Sequence, residues 1–325
     1  MPLITVIHGD GIGMEVIPAA VEVLQALHLP LTFQTAEAGF STFERVKNAL
    51  PRETLALCEA SDAILFGATQ SPMIKVGGYQ SPILSLRRYF DLFCNLRPAQ
   101  GNGLDVLIVR ENTEGMYSRR ERVEHGGNTT IAERVITAKA SERIARAACE
   151  WAMKRRQKLT VVHKANVLNE TCGLFRDRAL AIAADYFDLT VDEGLIDSTA
   201  MHLAQDALNG DGSRYDVIVT TNLFGDILSD LVAGLTGGLG IAPSANIGAN
   251  GHGVFEPVHG SAPDIAGQGI ADPRAAILTA AMLLDELGYS AQADRVRAAT
   301  RETAHTGSTP KTTEAIIERI SQTAS

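Results

Sequence analysis

Apolar residues along this chain follow two rhythms. Short, nearly continuous runs of Val, Ile and Leu occur at 3–8, 31–36, 63–67, 104–110, 159–163 and 216–221. Runs of that length and composition predict strands, several of them buried on both faces. Between the runs, apolar positions recur at helical spacing. In 15–27, Val16, Ala20, Val23, Leu24 and Leu27 fall on one side of a predicted helix. Pro18 fits that helix only in its first turn, because proline has no N–H to donate further in. A second, strongly apolar helix is predicted over 275–287. Strands alternating with helices indicate an α/β fold.

One stretch breaks the alternation. Residues 117–137 place Gly126-Gly127 between two segments of β-like and charged residues, which predicts a hairpin. Its polar strands suit either an exposed surface hairpin or an arm that pairs with a second subunit, and spacing alone leaves both open. No internal repeat or low-complexity tract is present. The Gly-rich links at 101–103, 209–212 and 248–253 are too short to be flexible tethers.

A length of 325 residues allows two domains or one large one, and the 45% apolar content can fill a sizeable core. The 29 basic residues are outnumbered by 38 acidic ones, for a net charge of −9. That balance speaks against general nucleic-acid binding. It still permits a local cationic pocket for an anionic substrate. Cys58, Cys94, Cys149 and Cys172 are scattered without metal-ligand spacing and read as buried thiols of a reducing compartment. The N-terminal run lacks the pattern of a secretory leader, and no apolar stretch approaches the roughly 18 residues of a membrane span. The expected setting is cytoplasmic, with no membrane partner.

Four groups of residues carry candidate chemistry. Gly9, Gly11 and Gly13 follow a strand and precede a helix, which invites a dinucleotide-fingerprint reading with Glu37 as the ribose acid. The third glycine comes one residue early, so a tight structural turn is the competing reading. Asp226 and Asp230 lie one turn apart on a predicted helix whose apolar face is Ile227, Leu228, Leu231, Val232 and Leu235. They are either a solvated acidic edge or two hard ligands for Mg²⁺ or Mn²⁺, with Asp197 as a third. Arg87, Arg97 and Arg110 suit bidentate carboxylate binding, or internal ion pairs with acids such as Glu111. Tyr117 and Lys164 are candidates for proton transfer; Tyr117 could equally be a half-buried aromatic at the base of the arm.

The segments LRRYFDLFCNLRP, RENTEGMY, HKANVL, TTNLFGDILSDLVAGLTGGLGIAPSANIG and FEPVHGSAPDIAGQGIADP, with GDGIG near the start, resemble the β-decarboxylating dehydrogenases. That family includes isocitrate, homoisocitrate and 3-isopropylmalate dehydrogenases, and the resemblance covers nearly the whole chain. It implies a two-domain α/β/α sandwich that is not a Rossmann fold. The first domain would take 1–96 and 240–325, and the second 97–239, with the arm at 117–137 as a dimer clasp. It implies a homodimer with shared active sites, and leaves tetramers open. Metal ligands would be Asp226 and Asp230, with Asp197 from the partner. Substrate would meet Ser71, Arg87, Arg97, Arg110, Tyr117, Lys164 and Asn166, with Tyr117 and the second subunit's lysine as the acid–base pair. NAD would lie against Ile12, Thr69, Glu256, His259, Gly260, Ser261, Ala262, Asp264, Ile265 and Asp272. Asp264 favours NAD over NADP, since a carboxylate repels a 2′-phosphate. Relatives have Asn where Asp272 stands, which puts the adenine contact of that position in question. The run Gly78–Arg87 resembles homoisocitrate enzymes of lysine biosynthesis most, ahead of isopropylmalate and isocitrate enzymes. Tyr79, Gln80 and Ser81 would reach a distal carboxylate, and Ile83 and Leu84 a methylene chain or an isopropyl group.

Overall fold

The computed structural model describes residues 1–72, 74 and 76–322. The chain opens with β1 (Leu3–Ile7), α1 (Gly13–Ala26), β2 (Thr32–Ala36), α2 (Phe40–Val46), α3 (Arg52–Ala60), β3 (Ala63–Phe66) and α4 (Pro82–Tyr89). Its middle runs through β4 (Cys94–Gly101), β5 (Leu104–Glu111), β6 (Gly115–Glu124), β7 (Thr129–Val135), α5 (Ala138–Met153), β8 (Lys158–His163), α6 (Asn169–Ala183), β9 (Thr190–Leu195), α7 (Ile196–Asn209), β10 (Val217–Thr220) and α8 (Asn222–Thr236). It closes with β11 (Pro243–Ile247), β12 (Gly253–Pro257), α9 (Arg274–Glu286), α10 (Ser290–Glu302) and α11 (Thr309–Gln322). Among the described residues no helix is long and apolar enough to cross a membrane.

Contacts divide the chain into two compact units. One is Met1–Phe90 with Leu239–Ser325, and the other is Asp91–Gly238. A boundary after residue 96 would cut through β4, whose eight residues pair with β5. The observed division instead precedes that strand.

In the first unit the strand order is β2-β1-β3-β12-β11. β1 is parallel to β2 and β3, β12 is parallel to β3, and only the β11–β12 pairing is antiparallel. Ile4, Val6 and Ile7 of β1 are buried, as are Val16, Ile17, Ala20, Val23 and Leu24 of α1. Helix α1 starts at Gly13, earlier than the apolar spacing indicated, so Pro18 falls inside it rather than in its first turn. The bond lost is the one to the carbonyl of Met14, whose side chain is exposed, so water can reach that turn.

The glycine cluster before α1 is a tight turn. Gly11 has φ +57°, and a Cβ there would lie 2.0 Å from the carbonyl oxygen of Ser261. That approach lets the Ile12 N–H donate to the same oxygen at 2.9 Å. Asp10 faces the other way. Its carboxylate accepts from the amides of Phe40, Ser41 and Gln70 at 2.7–3.0 Å and from the Ser41 hydroxyl at 2.6 Å. Glu37, the acid of the fingerprint reading, is exposed and pairs with Arg45.

In the second unit the order is β4-β5-β10-β8-β9, antiparallel at β4–β5 and parallel elsewhere. Leu104, Val106 and Ile108 of β5, Val162 of β8 and Ile218 of β10 form a core with Leu203 of α7 and Leu228 and Val232 of α8. Leu231 and Leu235 flank it, but Ile227 does not belong to that face: it is 61% exposed. The arm is a separate two-stranded sheet of β6 and β7, closed through His125–Gly127. It spans 115–135 rather than 117–137, because Thr137 already caps α5 by accepting from the Ala140 amide. All four cysteines are free and buried.

Replacing Gly11 by Ala would force a Cβ against the Ser261 carbonyl in a left-handed backbone. A loss of about 2–4 kcal/mol is expected, read as a lower urea midpoint with an unchanged slope.

Candidate active site

The site in the second unit is assembled by strand register. Arg110 stands near the end of β5, opposite Asn95 on β4 and Thr220 on β10. Two residues beyond Thr220, α8 begins with Asn222. The Arg110 side chain is 1% exposed. Its Nε and Nη2 donate to Asn222 Oδ1 at 3.1 and 2.7 Å, and its Nη1 donates to Asp226 Oδ1. A Cβ on Gly225 would sit 2.6 Å from Arg110 Cγ, so the helix can pass this close only with glycine there.

Arg97, on β4, reaches the same helix one turn further on. Its Nε donates to Asn95 Oδ1 at 2.8 Å, and Nη1 donates to Ser229 Oγ at 2.8 Å and Asp230 Oδ1 at 3.1 Å. Its Nη2 lies 3.5 Å from Asp226 Oδ1. Tyr117, near the start of β6, donates its hydroxyl to Asp226 Oδ2. The Arg110 guanidinium carbon lies 5.1 Å from the centre of the Tyr117 ring. Five of the residues singled out from sequence are thus joined in one network: Arg97, Arg110, Tyr117, Asp226 and Asp230. The arginines meet these aspartates rather than Glu111, whose carboxylate accepts from the Thr113 amide and hydroxyl and the Glu114 amide.

The electrostatics follow from this packing. Burial, then the hydrogen bond to Asp226 and its charge, push the Tyr117 phenol above its ordinary pKa against a smaller pull from Arg110. The phenol therefore keeps its proton at neutral pH. Burial and the neighbouring Asp226 raise the Asp230 carboxyl, while Arg97 and Arg110 lower it. Asp226 and Asp230 remain 31% and 54% exposed, so neither is closed off from an added ligand. Two carboxylates one turn apart, both still reachable from solvent, form a donor set that fits a hard divalent cation.

Lys164 and Asp197 form a second cluster. Lys164 Nζ donates to Asp197 Oδ1 at 2.6 Å, a bond that holds the Asp197 carboxyl below its usual pKa. Asn166 is exposed in the turn that follows Lys164. Among the described residues no three acids, histidines or cysteines converge on one point within this chain, so Asp197 does not complete a site with Asp226 and Asp230 of the same copy.

The expected cofactor residues lie in the first unit. The Ile12–Ser261 bond joins the opening turn to the loop 259–265. Within that loop His259 Nε2 is shielded from solvent and has no hydrogen-bond partner among the described residues, and a Cβ on Gly260 would meet open space. Asp264 is exposed, Ile265 and Thr69 are half-buried, and Ser71 is exposed. Ala262 adopts φ +37°. An orphaned imidazole nitrogen beside an open glycine fits a ligand carrying hydrogen-bonding groups. Asp272 is engaged by Arg274, through the guanidinium at 2.7 Å and the amide at 3.0 Å.

Arg87 and Glu256 are paired at 3.0 Å, and Glu256 also accepts from Asn246 at 2.9 Å. Tyr79 does not present its hydroxyl as a free donor. It gives its proton to the Gln70 carbonyl at 2.9 Å, with its ring edge-on to Phe40 and Phe43. Ser81 is the N-cap of α4, with Ile83 and Leu84 half-buried in its first turn.

Sequence reasoning missed Asn222, Gly225, Ser229 and Asn95, the residues that hold the two arginines. A sequence signal for them exists only once Arg110 is known to be buried, since a buried guanidinium requires acceptors.

Known proteins bear on this arrangement. A family model described as isocitrate/isopropylmalate dehydrogenase matches residues 3–324. An isocitrate/homoisocitrate dehydrogenase of Thermus thermophilus is 50% identical over 335 residues, 98% of each chain. A 3-isopropylmalate dehydrogenase of Archaeoglobus fulgidus is 48% identical, over 94% of this chain and 93% of its own. The crystal structure of an isocitrate dehydrogenase from Methylococcus capsulatus superposes with a TM-score of 0.91 at 39% identity, covering 98% of this chain and 99% of the other. Matched along almost its full length in sequence and in structure, the chain belongs to the isocitrate/isopropylmalate dehydrogenase family.

Proposed function

We propose that this protein is an NAD-dependent enzyme that oxidises a (2R,3S)-2-hydroxy-3-carboxy acid and releases the β-carboxylate as CO₂. Homoisocitrate, giving 2-oxoadipate, is the first choice, ahead of 3-isopropylmalate and isocitrate. The observation that carries this reading is the convergence of Arg97, Arg110 and Tyr117 on Asp226 and Asp230. Two cations able to grip carboxylates, a phenol held in its acid form and a pair of hard oxygen ligands are what the reaction needs in one place. The substrate order rests on the Gly78–Arg87 run and on the name of the Thermus relative. The Archaeoglobus relative keeps isopropylmalate as the runner-up.

When bound, Mg²⁺ or Mn²⁺ at Asp226 and Asp230 supplies a Lewis acid toward the 2-hydroxyl, and NAD against Ile12 and the 259–265 loop supplies the hydride acceptor. The chain's own residues do the rest. Arg97 and Arg110 orient the substrate carboxylates. Lys164 takes the hydroxyl proton. Loss of CO₂ leaves its bonding electron pair on the substrate, and Tyr117 returns a proton to that carbon. Asp264, exposed in the 259–265 loop, is an acid for the adenosine side, which favours NAD over its 2′-phosphorylated form. Four buried free thiols agree with a cytoplasmic setting.

The site is proposed to be shared between two copies, with Lys164 and Asp197 reaching the aspartate pair of the other. Large apolar side chains lie exposed beside these residues: Ile227 at 61% next to Asp226, Met201 at 51% one turn from Asp197, and Val167 at 64% next to Asn166. Apolar groups bracketing catalytic candidates suit burial by a second copy, with the arm as clasp.

Four measurements test the reading. NADH absorbance should rise with homoisocitrate and stop on adding a chelator. Catalytic efficiency should fall for isopropylmalate and isocitrate, by no more than about 1–3 kcal/mol per methylene of mismatch. No NADH with any of the three acids would end the proposal. Tyr117→Phe should lose about 10²–10⁴ in rate. Lys164→Ala and Asp226→Ala, each inactive, should recover about one quarter of wild-type activity when co-refolded, since random pairing leaves one intact site in each mixed dimer. A verified mixed dimer without activity would place each site within a single chain.

A further inference from the structure

Strand β8 ends at His163, and the chain turns through 164–168 into α6. His163 is 4% exposed. Its Nδ1 lies 3.1 Å from the amide nitrogen of Ala165. A backbone N–H can only donate, so Nδ1 is the acceptor and the neutral ring carries its proton on Nε2. That proton faces Glu193, whose Oε2 is 3.5 Å away. Burial holds the imidazole below its ordinary pKa, ahead of the opposing pull of Glu193, and this keeps Nδ1 free to accept.

The bond reaches from a side chain to the amide two residues on, the geometry of an Asx turn. Lys164 lies between the two bonded residues. Its own carbonyl accepts from the amides of Val167 and Leu168 at 3.1 and 2.9 Å. The lysine backbone is therefore fixed on both sides. Its side chain runs to Asp197 in the first turn of α7, two residues past β9, and β9 pairs Leu195 with His163 in register. Nε2 meets Glu193 only at the outer limit of hydrogen-bond distance, so the short polar contact of this buried ring is the one to the Ala165 amide.

We propose that His163 is a positioning residue that aims Lys164, by accepting the Ala165 amide at Nδ1. This rests on the reading of Lys164 as the proton acceptor and extends it. Asparagine places an oxygen where Nδ1 stands. Glutamine places its amide nearer to Nε2, and leucine offers no acceptor.

His163→Asn should keep kcat within about threefold of wild type, while His163→Leu and His163→Gln should lower kcat by about 10–100-fold with KM for the acid nearly unchanged. Hydrogen exchange at the Ala165 amide should speed up in His163→Leu and stay slow in His163→Asn. If His163→Leu fails to fold, the Asn and Gln variants still decide. His163→Asn as slow as His163→Leu or His163→Gln, or His163→Leu as fast as wild type, overturns the inference while leaving Lys164 in place. Lys164→Ala with full activity removes the proton acceptor itself, and this inference with it.

Discussion

A guanidinium with almost no access to solvent dictates what stands around the end of β5. Burying that charge is costly unless every donor finds an acceptor and the charge a counter-ion. Asn222 and Asp226 supply both for Arg110. Withdrawing one such partner from a buried ion commonly costs about 3–5 kcal/mol, so the start of α8 has little freedom to slide. Fixing that helix fixes its next turn, and with it the direction of Asp230. Arg97 and Tyr117 then read the same carboxylates from two other strands. The acidic pair is thus held in place by the cations that are proposed to grip substrate.

The first unit solves a different problem, the anchoring of loops without regular structure. Asp10 does this for one side, collecting three amides and a hydroxyl from two separate segments. One of them, the Gln70 amide, sits between Thr69 and Ser71, and Tyr79 holds the carbonyl of the same residue. On the other side the Ile12–Ser261 bond ties down the loop that carries His259 and Asp264. Hydrogen bonds to main-chain groups hold both loops, while the Asp264 side chain stays exposed.

How much of this could be read from the amino acids varies with the kind of signal. Parallel strands covered on both faces are apolar throughout, so β1, β3, β5, β8 and β10 stand out. Strand β9 carries Asp192 and Glu193 at a sheet edge, and its polarity hid it. β4 contains Pro98, opposite Leu107 of β5, and a proline argues against a strand unless its missing N–H is not needed. Ile227 read as core because it lies within the apolar arc of α8, yet it is the side carrying Leu228 and Val232, not that of Ile227, that faces the sheet core. In the site, the identities of the acids and arginines were legible. Their pairing was not, because it depends on which residue of β10 faces which residue of β5. The role of Asp272 also needed coordinates: Arg274 two residues on compensates its charge.

The division of the chain has a consequence for its synthesis. The unit from Asp91 to Gly238 is one continuous stretch, whereas the other is made of the two ends. β3 cannot meet its partner β12 until residues about 190 positions later have left the ribosome. Its apolar strands β1 and β3 and the inner face of α1 must therefore wait, partly uncovered, while the middle of the polypeptide completes its own contacts. Nascent protein of this design is most exposed to misassociation during that interval, and a chaperone's protection is most useful for the first ninety or so residues.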